Sequence, residues 1–170
     1  MKKIKVGFLP LYIKLYDDSQ GLGYRVPMEK YMNMAINMLE TQGIEIVQAD
    51  VCRIKPEFDA AAAMFNEADV DAVITFHLAY SPSLESIEAL LSLKAPIIVF
   101  DSTPDYELIK VAGYAGRISP NHGIHGVMDM CSMLKRNGKS FAICAGHVDN
   151  EEMWTKLVGY VKAASSAKAF

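Results

Sequence analysis

Three of the four histidines of this chain fall within one stretch, Asn121-His122-Gly123-Ile124-His125-Gly126 followed by Ala145-Gly146-His147-Val148-Asp149. The fourth, His77, ends the strand-like run Asp71-Ala72-Val73-Ile74-Thr75-Phe76-His77. Near neutral pH, imidazole is suited to proton transfer, metal ligation and recognition of sugar hydroxyls. Gly123 and Gly126 permit close approach of backbone to a ligand, and the first N–H groups of a helix opening there favour oxyanions or hydroxyls. His125 and Asp129 stand one turn apart, so the carboxylate could orient the imidazole. The same glycines also fit a plain loop whose histidines cap the helix or bond carbonyls.

His122-x-x-His125 with His147 and His77 supplies enough imidazoles for three zinc ligands. The spacing matches no specific zinc motif, and the first pair straddles an expected turn. Asp101-Ser102-Thr103-Pro104-Asp105 could do acid–base work, although turn and cap chemistry is the plainer reading of it. Leu15-Tyr16-Asp17-Asp18 could bind a ligand or present an interface, and local chemistry leaves both open. His77 is followed by Leu78-Ala79-Tyr80-Ser81-Pro82-Ser83, able to line a pocket or to cap a helix.

Five strand–helix alternations must position these residues. Short apolar runs at 4–9, 44–49, 72–76, 97–101 and 141–145 read as strands buried on both faces. Helices are expected at 27–42, 56–67, 83–93, 123–136 and 151–169. Gly43 and Gly138 sit where a helix C′ residue belongs, Pro56 and Pro82 lie at or near helix starts, and Asn150 before Glu151-Glu152 makes an N-cap. Pro96 stops the third helix. Such a series implies an α/β fold with a five-stranded parallel sheet, doubly wound and flavodoxin- or Rossmann-like, with the order 2-1-3-4-5 favoured. Ligands of such sheets bind beyond the carboxyl ends of the strands. The loops there, 10–24, 50–55, 77–82, 102–122 and 146–150, contain or adjoin every histidine.

At 170 residues the chain is expected to form a single domain, 1–170. A formal net charge of -3 without a Lys/Arg cluster argues against nucleic acid. No apolar run approaches the ~20 residues of a membrane span, and the basic start reads as a first strand rather than a signal peptide. Three cysteines without paired spacing suit a reducing, cytoplasmic setting. The dinucleotide fingerprint is missing, since the first strand leads into Pro10-Leu11-Tyr12. A phosphate-binding P-loop, a G-x-S-x-G elbow and the acid set of a phospho-acceptor receiver are missing too.

The runs Asn121 to Met130, Lys139-Ser140-Phe141-Ala142-Ile143-Cys144-Ala145-Gly146-His147, Leu11 to Asp17 and Ala72 to Pro82 together resemble the L-fucose/L-arabinose isomerase family, over nearly the whole chain. The resemblance is to its sugar-isomerase-like branch and implies neither fucose nor arabinose. Family members are about three domains long and are metal-dependent aldose–ketose isomerases, typically using manganese, with their metal-binding and base carboxylates in later domains. The chain would then be the first domain, an N-terminal fragment or separately encoded, with no cofactor of its own and inactive alone. Its implied partners are a small-molecule sugar, the remaining isomerase domains, and further subunits of a homo-oligomer. The family's His-Gly matches His125-Gly126, and its Gln-His-Leu-Tyr loop matches Leu15-Tyr16, with Ile13 and Lys14 replacing Gln-His. The resemblance thus implies a sugar-facing rim of His125 and His147, with His77, Tyr16 and His122. A second reading from the same loops is a stand-alone, non-enzymatic sugar- or metabolite-binding module. A third is an independent hydrolase or metal enzyme using the four histidines.

Overall fold

The computed structural model describes residues 3–106 and 118–169. Its sheet has five parallel strands in the order β2-β1-β3-β4-β5. They are β1 (Lys5–Leu11), β2 (Glu45–Gln48), β3 (Ala72–His77), β4 (Ile97–Asp101) and β5 (Phe141–Ala145). The described helices are α1 (Lys14–Gln20), α2 (Val26–Thr41), α3 (Lys55–Glu67), α4 (Ser83–Ser92), α5 (Gly123–Arg136) and α6 (Glu151–Lys168). Short 3-10 turns occupy Leu22–Arg25 and Ser119–Asn121. The doubly wound fold and its strand order are those expected. Most of the long loop anticipated after β4 falls at 107–117, outside the described residues.

Strand alternation sends neighbouring residues to opposite faces, and each face meets its own helices. Val6, Phe8, Ile74, Phe76, Ile98 and Phe100 pack with Met28, Met32, Trp154 and Leu157 beneath α2 and α6. Leu9, Leu11, Val73, Ile97 and Val99 pack with Phe58, Phe65, Leu90, Val127 and Met130 beneath α3, α4 and α5. This second face carries Thr75 and His77 at the end of β3, both buried polar residues.

β1 runs to Leu11, two residues beyond the expected end, in spite of Pro10. The carbonyl of Pro10 accepts from Cys52 N, on the β2 side. Its missing N–H therefore faces a position past the last residue of β2, where no rung is lost. Gly43 and Gly138 follow α2 and α5 with φ of 78° and 70°, the left-handed conformation that closes a helix. The Asn150 side chain accepts from Glu152 N and Met153 N, capping α6. Asp71 does structural work at the amino edge of the sheet, accepting from Lys5 N at 2.9 Å and from Ser165 Oγ at 3.3 Å.

Candidate functional site

β1 and β3 are neighbours, and the chain leaves β1 for β2 on one side before crossing to β3 on the other. Their carboxyl ends therefore form the switch point where ligands of such sheets bind. Leu11 and His77 are register partners there. His77 is buried beneath the first turns of α5: a Cβ built on Gly126 would stand 2.6 Å from His77 Cδ2, and one on Gly123 3.0 Å from the His77 carbonyl. Neither His77 ring nitrogen has a hydrogen-bond partner among the described residues. Burial pushes its pKa down to about 3, with the Asp129 carboxylate opposing only part of that shift. His77 is thus a neutral imidazole near pH 7.

Above it the structure gathers Tyr16, His122 and His125. Tyr16 Oη and His122 Nδ1 lie 3.4 Å apart, and the His122 and His125 rings meet edge to face with centroids 4.5 Å apart. Tyr80 stacks against His122 at 5.5 Å. Burial, then the neighbouring His125, holds the His122 pKa below its ordinary value. His125 is exposed. The expected His125–Asp129 pair does not form: Asp129 Oδ2 instead accepts from Ser83 N at 3.0 Å, fastening the start of α4 to α5. His122 stands at the N-cap of α5 without a side-chain capping bond.

His147 belongs to a different cluster, in which it shares a cavity with Ile124. A cavity of about 310 Å³ lies beyond β4 and β5, lined by Asp101, Ser102, Thr103, Asp105, Tyr106, Ile124, Ala145, Gly146 and His147. His147 Nδ1 lies 3.3 Å from Asp149 N and 3.4 Å from Asp149 Oδ2, and Nε2 faces the Pro104 carbonyl, to which it can only donate, at a loose 3.4 Å. The Tyr106 ring stands edge-on to His147 at 5.5 Å. Burial raises the Asp101 carboxyl above its ordinary pKa. Tyr31 Oη stands 2.7 Å from Ser102 Oγ and donates to the Thr103 carbonyl, also at 2.7 Å. Asp105 and Asn121 are bonded to each other through both backbone and side chain. These bonds hold the wall in place. Among the described residues no group of three His, Cys, Asp or Glu side chains is placed to hold a metal ion.

A further polar cluster surrounds a cavity of about 510 Å³ beyond β2, lined in part by Arg25, Glu29, Asn33, Gln48, Asp50, Arg53 and Glu57. The buried Asp17 carboxylate accepts from Arg25 Nη1 at 2.6 Å and Arg53 Nη1 at 2.9 Å. Of the segments weighed from sequence, Leu15-Tyr16-Asp17-Asp18 reaches it through Asp17, whereas His77, His122, His125, His147 and Tyr16 do not line it. The available signal was Arg25, Glu29 and Asn33, which recur every four residues and so share one helical face.

No protein-family model and no curated protein matches the chain. Solved structures similar to it include the Escherichia coli transcriptional repressor ascG, at 16% identity over 85% of this chain and 59% of that one, with a TM-score of 0.39. Another is a sugar-binding transcriptional regulator of the LacI family from Escherichia coli, complexed with phosphate, at 14% identity over 89% of this chain and 63% of that one, with a TM-score of 0.35. The chain spans less than two thirds of either, and likeness this distant carries no functional argument. Among the described residues no helix is long and apolar enough to cross a membrane. The resemblance to L-fucose/L-arabinose isomerases is overturned, and with it the assignment of the chain to carbohydrate metabolism as an isomerase domain: no family model supports it, and the similar structures are regulators. Its His-Gly motif has a packing explanation instead, since only glycine at 126 lets α5 lie on His77. The manganese and the later domains rest on that resemblance alone.

Proposed function

We propose that this chain is a binding module for a small polyhydroxylated metabolite of the sugar class, held in the cavity beyond β4 and β5. The observation that carries this reading is the wall of that cavity, which combines the Asp101 carboxyl, the Thr103 hydroxyl, His147 Nε2 and the Tyr106 ring. A carboxyl and an imidazole N–H offer the acceptor and donor that a vicinal pair of hydroxyls needs. An exposed aromatic ring offers an apolar platform for the C–H face of a sugar. The Pro104 carbonyl contact of His147 is long enough for a ligand hydroxyl to replace it at little cost. Binding sites of this kind are concave, with few polar groups that converge. His122, His125 and Tyr16 form a separate rim, and His77 supports that rim from beneath rather than touching the ligand.

Calorimetric titration of the chain with a panel of aldoses, ketoses and cyclic polyols tests this. At least one should bind with a dissociation constant of about 1 mM or tighter. Asp101→Asn and His147→Ala should each weaken it about tenfold or more, a loss of about 1.4 kcal/mol. A panel without binding, or affinities indifferent to both substitutions, would overturn the assignment.

A further inference from the structure

The structure assigns a second binding site to the cavity beyond β2, for a small zwitterion carrying both an ammonium and a carboxylate, as a free α-amino acid does. One wall is the polar stripe Arg25, Glu29 and Asn33 at the start of α2. The facing wall is Gln48 at the end of β2, with Asp50, Arg53 and Glu57 after it. Met32, Ala49 and Val51 complete an apolar floor. At about 510 Å³ the space is within the range of small-molecule sites.

The assignment of chemistry comes from which polar ends are already used. Arg53 spends Nε and Nη2 on Glu57 and Nη1 on Asp17. Arg25 spends Nε on Glu29 Oε1 and Nη1 on Asp17. Among the described residues, Arg25 Nη2, Glu29 Oε2, the exposed Asp50 carboxylate and the exposed carboxamides of Asn33 and Gln48 bond no other protein group and stay open to solvent or ligand. Donors and acceptors of opposite charge are therefore left open in one cavity. A purely anionic ligand would meet Glu29 and Asp50, and a purely cationic one the two guanidiniums, so each would be repelled by half of the wall. A zwitterion places its carboxylate on Arg25 and its ammonium between Glu29 and Asp50. Asp17, with a side chain only 4% exposed, fixes both guanidiniums from behind before any ligand arrives.

The test is calorimetric titration of the intact chain with the proteinogenic L-amino acids, each positive result repeated with the matching amine lacking the carboxylate and the matching acid lacking the ammonium. At least one amino acid should bind with a dissociation constant of about 1 mM or tighter, and both analogues should bind about tenfold more weakly or worse. Glu29→Gln and the exposed Asp50→Asn should each cost about tenfold, with circular dichroism unchanged. His147→Ala, in the other cavity, should leave the affinity intact. Absence of amino-acid binding, equal binding of an analogue, indifference to Asp50→Asn in a folded variant, or loss on His147→Ala would overturn the proposal.

Discussion

Gly126 lies against the imidazole of His77 so closely that a Cβ at position 126 would stand 2.6 Å from His77 Cδ2 and 2.9 Å from Nε2. Inside a helix, alanine is favoured over glycine by about 1 kcal/mol, so an uncrowded site would gain from Gly126→Ala. Here the ring and the Ser81 backbone nitrogen, 3.0 Å from the same Cβ, leave it no room. The substitution should destabilise the fold by about 1–3 kcal/mol, the usual cost of overpacking. In a His77→Ala background much of that penalty should vanish. Urea unfolding of the two single variants and the double variant measures this coupling, and strict additivity would refute the contact.

The same ring sets an acid limb. In the unfolded chain His77 should titrate near its ordinary value of 6.5, whereas in the fold its pKa is down to about 3. The unfolded state therefore binds the proton first as pH falls. The fold carries no penalty from this group above pH ~6.5, and loses stability progressively between there and pH ~3, by on the order of a few kcal/mol in all. His77→Leu should flatten the dependence between pH ~6.5 and ~4.5, above the range where carboxylates dominate. Urea midpoints across that window, for wild type and variant, decide it.

The difference between what could and could not be read from the sequence follows from the range of the forces. β4, β5 and α5 begin and end where expected, because Pro96, Gly138 and the apolar runs mark them locally. The sequence reads 10–24 as a loop, whereas α1 forms within it. Its N-cap residue Ile13 offers no side-chain bond, its seven residues are too few to show a period, and Asp17 is fixed by Arg53, 36 positions away. Topology alone placed the histidines on one edge of the sheet. Whether they touch depends on side-chain packing: His122 and His125 meet each other, His147 lines a cavity that neither of them lines, and two glycines put His77 under cover.

Asp17 should be the most costly of the polar substitutions. It joins α1 to the start of α2 through Arg25 and to the loop after β2 through Arg53. Removing one member of a buried ion pair costs about 3–5 kcal/mol when its partners stay dry. The guanidiniums here keep 19% and 28% exposure, so Asp17→Ala should cost less, roughly 2–3 kcal/mol after that discount. Lys14→Ala, which breaks only the exposed Lys14–Asp18 pair, should stay within about 0.5 kcal/mol of wild type. Chemical denaturation of the two variants side by side tests the contrast, and equal stabilities would refute it.

His122 should titrate below the ordinary histidine value, for two separable reasons. The His125 ring lies 4.5 Å from that of His122 between centroids, and its charge disfavours a proton on His122. His122 also loses solvation, the larger of the two causes that lower its pKa. Carbon-detected NMR titration of the imidazole signals should therefore place His122 below the ordinary histidine value. His125→Ala should move it upward, because the repulsion goes, yet leave it depressed, because burial stays. Tyr16→Phe separates a third influence by removing the hydroxyl 3.4 Å from His122 Nδ1. A His122 signal at the ordinary value in wild type, or one unmoved by His125→Ala, would show that the two imidazoles do not form a compact pair.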